Sequence, residues 1–147
     1  MNSLNTRNIL LSLVLTILLA VPTYAQDELR FRADIHTISP QSYPTQAGLT
    51  EFYLAIDGDT ADIYLPYIGQ VYMPTFGNDG LNFKAKCTDT TIIPGKKKDS
   101  REISFTVRND IVTYRFSITM YANNTIYVHV QPSNAQGCSY IGTIRTP

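Results

Sequence analysis

The run Ile103-Ser104-Phe105-Thr106-Val107-Arg108-Asn109-Asp110-Ile111-Val112-Thr113-Tyr114-Arg115-Phe116-Ser117-Ile118-Thr119-Met120 decides the fold. In an extended chain successive side chains point to opposite faces, so Ile103, Phe105 and Val107 share one face. Asn109-Asp110 turns the chain, and Val112, Tyr114, Phe116, Ile118 and Met120 share a face on the way back. Asn123-Asn124 turns it again into Ile126, Val128 and Val130, and Ser133–Gly137 makes a last turn before Tyr140, Gly142 and Ile144. No helical period competes with this alternation.

The same pattern runs back toward the N-terminus. Leu29 to Ile38 reads as a first strand, ended by Ser39-Pro40, and Gln41–Gly48 reads as a connection. Phe52, Leu54 and Ile56 alternate with Glu51, Tyr53 and Ala55, and Asp57-Gly58 is a tight-hairpin signal because such turns need positive φ. Ile63 and Leu65 follow before Pro66, Val71–Met73 is a short extended piece, and Asn78-Asp79-Gly80 turns into Leu81, Phe83 and Ala85. The stretch Thr88–Ser100, with Pro94-Gly95 and Lys96-Lys97-Lys98, is expected to be the longest mobile loop. The expected fold is all-β, an antiparallel meander of about eight or nine strands. It closes into a β-barrel or half-open barrel, with a two-sheet β-sandwich as the alternative.

Ahead of this domain stands the pattern of a secretory signal. Arg7 precedes an apolar run from Ile9 to Val21, and small residues flank a cut near Ala25-Gln26. Residues 1–25 are therefore read as a signal peptide and residues 26–147 as a single all-β domain. The expected location is the periplasm or the secreted fraction of a bacterium, with no transmembrane span in the mature chain. The chain's formal charge is zero, and losing Arg7 leaves −1, so no broad field attracts nucleic acid or anionic lipid.

Cys87 shares parity with Leu81, Phe83 and Ala85, and Cys138 with Tyr140 and Ile144, so both face the core. A disulfide between them would be worth about 4 kcal/mol by the chain-entropy model. Two separate buried thiols are the alternative.

Leu65-Pro66-Tyr67-Ile68-Gly69-Gln70-Val71-Tyr72 resembles a block of the domain of unknown function 4251 family. Phe31-Arg32-Ala33-Asp34 is similar to that family's first strand, and Gly80-Leu81-Asn82-Phe83 to its glycine-led strand. Tyr114–Ile118 is similar to its central strand, and Ser139-Tyr140-Ile141-Gly142-Thr143-Ile144 to its closing motif. The likeness spans roughly Leu29 to Ile144. It implies a lipocalin-type barrel and export in Bacteroidota, where many members are lipoproteins. It implies no activity. This chain departs by lacking a lipobox cysteine, by Ile68 in place of an aromatic and by Gln70 in place of a basic residue.

The chemistry-bearing residues are sparse. His36 and His129 are the two histidines, and neither has the neighbours of a zinc ligand set. A nucleophilic triad cannot be placed from the sequence, so no catalytic residue, metal or cofactor is assigned. Asp57-Gly58-Asp59-Thr60-Ala61-Asp62 lacks the ligand spacing of a calcium loop and reads as an acidic turn. Lys96–Lys98 reads as solvated charge, and Asn123-Asn124-Thr125 as a hairpin turn although it matches a glycosylation acceptor. Thr60 and Thr90 lie in Asp-Thr-Ala and Asp-Thr-Thr triplets that resemble the O-glycosylation acceptor of exported Bacteroidota proteins, and both are expected in turns or loops. Tyr53, Tyr64, Tyr127 and His129 form a candidate exposed aromatic face for a sugar or a protein partner.

The leading reading is a non-catalytic structural or partner-binding β-barrel of the cell envelope. A module for a small ligand or glycan is the alternative, and a hydrolase stands third. The bulky inward set of Phe83, Phe105, Phe116, Tyr114 and Tyr140 favours an interior filled by its own side chains.

Overall fold

The computed structural model describes residues 29–72 and 81–145, and every regular element in it is a strand. The signal-like segment, Met73 and the turn Asn78–Gly80 lie outside the described residues. The strands are β1 (Arg30–Pro40), β2 (Gln46–Asp57), β3 (Thr60–Leu65), β4 (Leu81–Lys86), β5 (Thr88–Pro94), β6 (Arg101–Asn109), β7 (Val112–Met120), β8 (Thr125–Pro132) and β9 (Cys138–Ile144). They form one antiparallel sheet in the order β4-β3-β2-β1-β9-β8-β7-β6-β5, which excludes the two-sheet sandwich.

That sheet is curled into a nearly closed barrel. Its two edge strands, β4 and β5, are halves of one extended segment with only Cys87 between them. The first half pairs with β3 and the second with β6, so the segment spans the seam in a staggered way. The Cys87 amide donates to the Asp59 carbonyl at 2.6 Å, and a bulge between Thr88 and Thr91, with Asp89 at φ 53°, bends the strand away. Staggered closure satisfies most edge hydrogen bonds that an open sheet would leave bare.

Alternation decides the packing. Tyr140, Phe105, Phe116, Ile35, Ile38 and Leu54 are among the fully buried side chains, and Phe105 stacks on Phe116 with ring centroids 5.0 Å apart. Phe83 is only partly buried but packs against Tyr114. The hairpins fall where the turn chemistry put them: Gly58, Asp110 and Asn124 all have positive φ, and Asn123 Oδ1 accepts from the Thr125 amide at 3.0 Å.

Three expectations change. Thr88–Ser100 is not one mobile loop, because Thr88–Pro94 forms β5. All seven of its residues are exposed, so no alternation marked it. The connection after β1 is shorter than expected, since β2 begins at Gln46. No bridge joins Cys87 and Cys138, and both are free thiols. The strand order places β9 four strands from the β4–β5 segment in either direction, so the two cysteines sit on opposite walls. A disulfide needs Cα atoms within about 7 Å.

Candidate functional site: the strapped end of the barrel

In a meander, successive turns fall at alternate ends. The β2–β3, β5–β6 and β7–β8 turns lie at one end, and the β1–β2, β3–β4, β6–β7 and β8–β9 connections at the other. After β3 the chain does not simply turn back. Pro66–Tyr72 runs across the second end as a strap and docks on the β8–β9 turn.

Main-chain groups hold most of this strap. The Tyr72 amide donates to the Asn134 carbonyl at 2.7 Å, the Gln136 amide donates to the Gln70 carbonyl at 2.9 Å, and Val71 bridges Ala135. The Gln70 amide donates to Gln136 Oε1 at 3.1 Å, and Gln136 Nε2 donates to Ser42 Oγ at 3.0 Å, which ties in the β1–β2 turn. Tyr67 Oη donates to the Gln136 carbonyl at 2.8 Å.

From inside the barrel, Tyr140 Oη donates to the Pro66 carbonyl at 2.8 Å and Cys138 Sγ to the Ile68 carbonyl at 3.0 Å. Buried carbonyls left without partners are costly, so these two donors make the strap compatible with an apolar interior. Burial pushes the Tyr140 phenol far above its ordinary range, reinforced by the neighbouring Cys138. Burial also lifts the Tyr67 phenol to about 12 and raises the Cys138 thiol, although hydrogen bonds to Ile68 and Tyr140 pull the latter back. These groups are therefore neutral hydrogen-bond donors at physiological pH.

Of the segments that carried the resemblance, Leu65–Tyr72 and the Tyr140 of the closing motif thus build this end. A Cβ at Gly142 would collide with the Asp34 carbonyl, so a side chain is excluded where β9 lies against β1, and one at Gly69 would push the Tyr67 hydroxyl from its place on the strap.

The candidate aromatic face divides in two. Tyr53 and Tyr64 are directly paired on β2 and β3, with ring centroids 5.9 Å apart and the Arg32 guanidinium 4.0 Å over Tyr53. Tyr127 and His129 lie on β8, and β9 and β1 stand between them and β2. Tyr127 Oη donates to Ser139 Oγ at 2.9 Å, and His129 Nδ1 is 2.9 Å from the same oxygen. No carboxylate among the described residues orients His129.

The acidic turn is neutralised by neighbouring bases. Asp57 meets Arg30 at 2.8 Å, Asp59 meets Lys86 at 3.6 Å, and Asp62 meets Lys84 at 3.7 Å. Among the described residues no three His, Cys, Asp or Glu side chains converge as metal ligands, and no helix is long and apolar enough to cross a membrane. Thr60 opens β3 and Thr90 lies in the bulge of β5; both are exposed, in strands rather than in loops.

Sequence reasoning missed a cleft of about 370 Å³ on the outer wall, lined by Arg32, Asp34, His36, Glu51, Phe52 and Arg145 among others. It opens where the β1–β2 ladder jumps from Ile35–Phe52 to Thr37–Ala47, and Gly48 and Glu51 there have positive φ. Gly48 was the one visible signal. Inside the cleft Arg145 holds both oxygens of Asp34 at 2.9 to 3.1 Å.

No curated protein matches this chain in sequence. A family model does, over residues 25–144, which takes in all nine strands and the strap, and the chain belongs to that family: domain of unknown function (DUF4251).

Proposed function

We propose that the mature chain is a non-catalytic, exported barrel of the cell envelope, periplasmic or secreted, that acts through its outer surface as a structural or partner-binding protein. The occupied interior carries this reading. Tyr140, Phe105, Phe116 and the aliphatic set around them take up the volume in which a ligand-carrying barrel holds its cargo, and the strap seals one end over them. The signal-like segment Arg7–Ala25 supports export.

Native mass spectrometry of the protein purified from its own envelope tests this reading. The expected mass is that of the chain from Gln26 onward, or a multiple of it, with no small apolar molecule attached. A stoichiometric apolar ligand surviving purification would overturn it. The same spectrum reads any glycan at Thr60 or Thr90.

A second reading, a module for a small polar ligand such as a glycan, is favoured by the cleft beside His36, whose volume falls within the usual range for ligand sites. Shifts of the Glu51, His36 and Thr143 amides on titration with neutral oligosaccharides support it. Shifts confined to the Tyr127–His129 wall would move the site there.

A further inference from the structure

Formal charge is concentrated at one end of this barrel, and four of the seven exposed large hydrophobic side chains among the described residues lie at the other, while Ile92, Ile93 and Tyr127 are on the walls formed by β5 and β8. Tyr43, Val71, Tyr72 and Ile111 are exposed large hydrophobic side chains, with Tyr72 62% and Ile111 68% accessible. All four belong to the strapped end. Val71 and Tyr72 are on the strap itself, Tyr43 follows the Ser42 that Gln136 holds, and Ile111 sits on the β6–β7 turn. That turn is joined to the β8–β9 connection by Ser133 and Thr113, whose backbone amides each donate into the other residue.

This end is also nearly free of formal charge. Residues 37–50, 63–72 and 116–144 contain no Asp, Glu, Lys or Arg. Among the described residues, charge approaches this end only on the β6–β7 side, as Arg108, Asp110 and Arg115. The opposite end carries Arg30, Asp57, Asp59, Lys96–Lys98 and Asp99.

Surfaces buried in protein interfaces are depleted in charge and enriched in tyrosine. A two-fold interface adds a further demand, since it sets each patch against its own copy. Like charges repel in that arrangement. Amides and hydroxyls, which both donate and accept, can pair with copies of themselves. Ser42 and Gln70, both exposed, place such groups beside Tyr43 and Val71. Docking on an anionic lipid surface would call for basic residues around the apolar ones, and the strap has none.

We infer that the strapped end docks against the same end of a second copy of this chain, forming an end-to-end two-fold dimer. This rests on the reading that the barrel acts through its outer surface, and it names the partner.

Light scattering and sedimentation of the chain from Gln26 onward, across a concentration series, read the assembly. The expected mass is twice that of one chain. Tyr72→Lys alone and Tyr72→Glu alone are each expected to give monomers, because the two-fold brings like charges together. An equimolar mixture of the two variants is expected to recover the dimer. Ile93→Lys, on the exposed β5 near the opposite end, is expected to leave the dimer intact. If circular dichroism shows that a Tyr72 variant is unfolded, Tyr43→Lys and Tyr43→Glu replace the pair. A wild-type monomer at every concentration, a dimer that survives Tyr72→Lys, or one lost in Ile93→Lys would each overturn the inference. A ligand-free monomer defeats the dimer alone, whereas a bound apolar ligand in the native spectrum defeats the outer-surface reading.

Discussion

The two ends of the barrel are built by different physics. At one end short polar turns carry charge in solvent: Arg30 with Asp57, Lys86 with Asp59, and the lysines of the β5–β6 turn. At the other end an uncharged strap is held by main-chain bonds and by two donors reaching up from the core, Tyr140 and Cys138. Exposed ion pairs contribute little because water screens them. Hydrogen bonds that satisfy buried carbonyls are costly to lose. Stability should therefore be concentrated at the strapped end, although the ion pairs Arg30–Asp57 and Lys86–Asp59 lie at the charged one.

The largest expected effect comes from Tyr140. Tyr140→Ala removes a fully buried ring together with its bond to Pro66 and should cost about 3–5 kcal/mol in denaturant unfolding. Tyr140→Phe keeps the ring but strands the Pro66 carbonyl, for about 1–3 kcal/mol. If the two substitutions cost the same, the strap bond carries the whole effect and the ring's packing none.

Gly142→Ala comes next. Its methyl group would meet the Asp34 carbonyl, which is backbone and cannot swing aside, so β9 and β1 must part locally at a cost of about 1–3 kcal/mol. A thermal midpoint matching the wild type would show that the closing glycine is dispensable.

Alkaline pH sharpens the contrast. The Tyr67, Tyr140 and Cys138 groups keep their protons in the folded state above the ordinary values of 10.0 for tyrosine and 9.0 for cysteine. The unfolded chain releases them earlier, so it binds fewer protons than the native state and stability falls as pH rises. Their contribution is intact below about pH 9 and is lost progressively as pH climbs toward about 12, where Tyr67 titrates. Melting temperature against pH should show this decline, and Tyr140→Phe should make it shallower. A decline unchanged by Tyr140→Phe would place the alkaline sensitivity elsewhere.

The smallest effect belongs to the charged end. Lys86→Ala breaks an exposed pair with Asp59 and should change stability by about 0–1 kcal/mol, less in high salt. A larger loss would mean that the pair braces the seam at Cys87, whose amide donates to the Asp59 carbonyl.

The same contrast explains what could be read from the residues alone. Strands with one buried face announce themselves by alternation, and β6, β7 and β8 do so without ambiguity. Strand β5 does not, because its residues are exposed on both faces and its Pro94-Gly95 ending is indistinguishable from loop chemistry. The first part of β2, around Gly48, was hidden for the same reason. Parity placed Cys87 and Cys138 inward, and both are buried, but only the strand order shows that they lie on opposite walls of the barrel. The Leu65–Tyr72 block was visible as a motif. Its role was not, because it is held through main-chain carbonyls, its own at Pro66 and Ile68 and that of Gln136, and every residue has a carbonyl.

Residue-resolved amide hydrogen exchange compares the two ends most directly. The Gln70, Tyr72 and Gln136 amides, each donating within the strap, should exchange far more slowly than those of Lys97 and Lys98 at the opposite end. Equal, rapid exchange at both ends would contradict a barrel sealed by its strap.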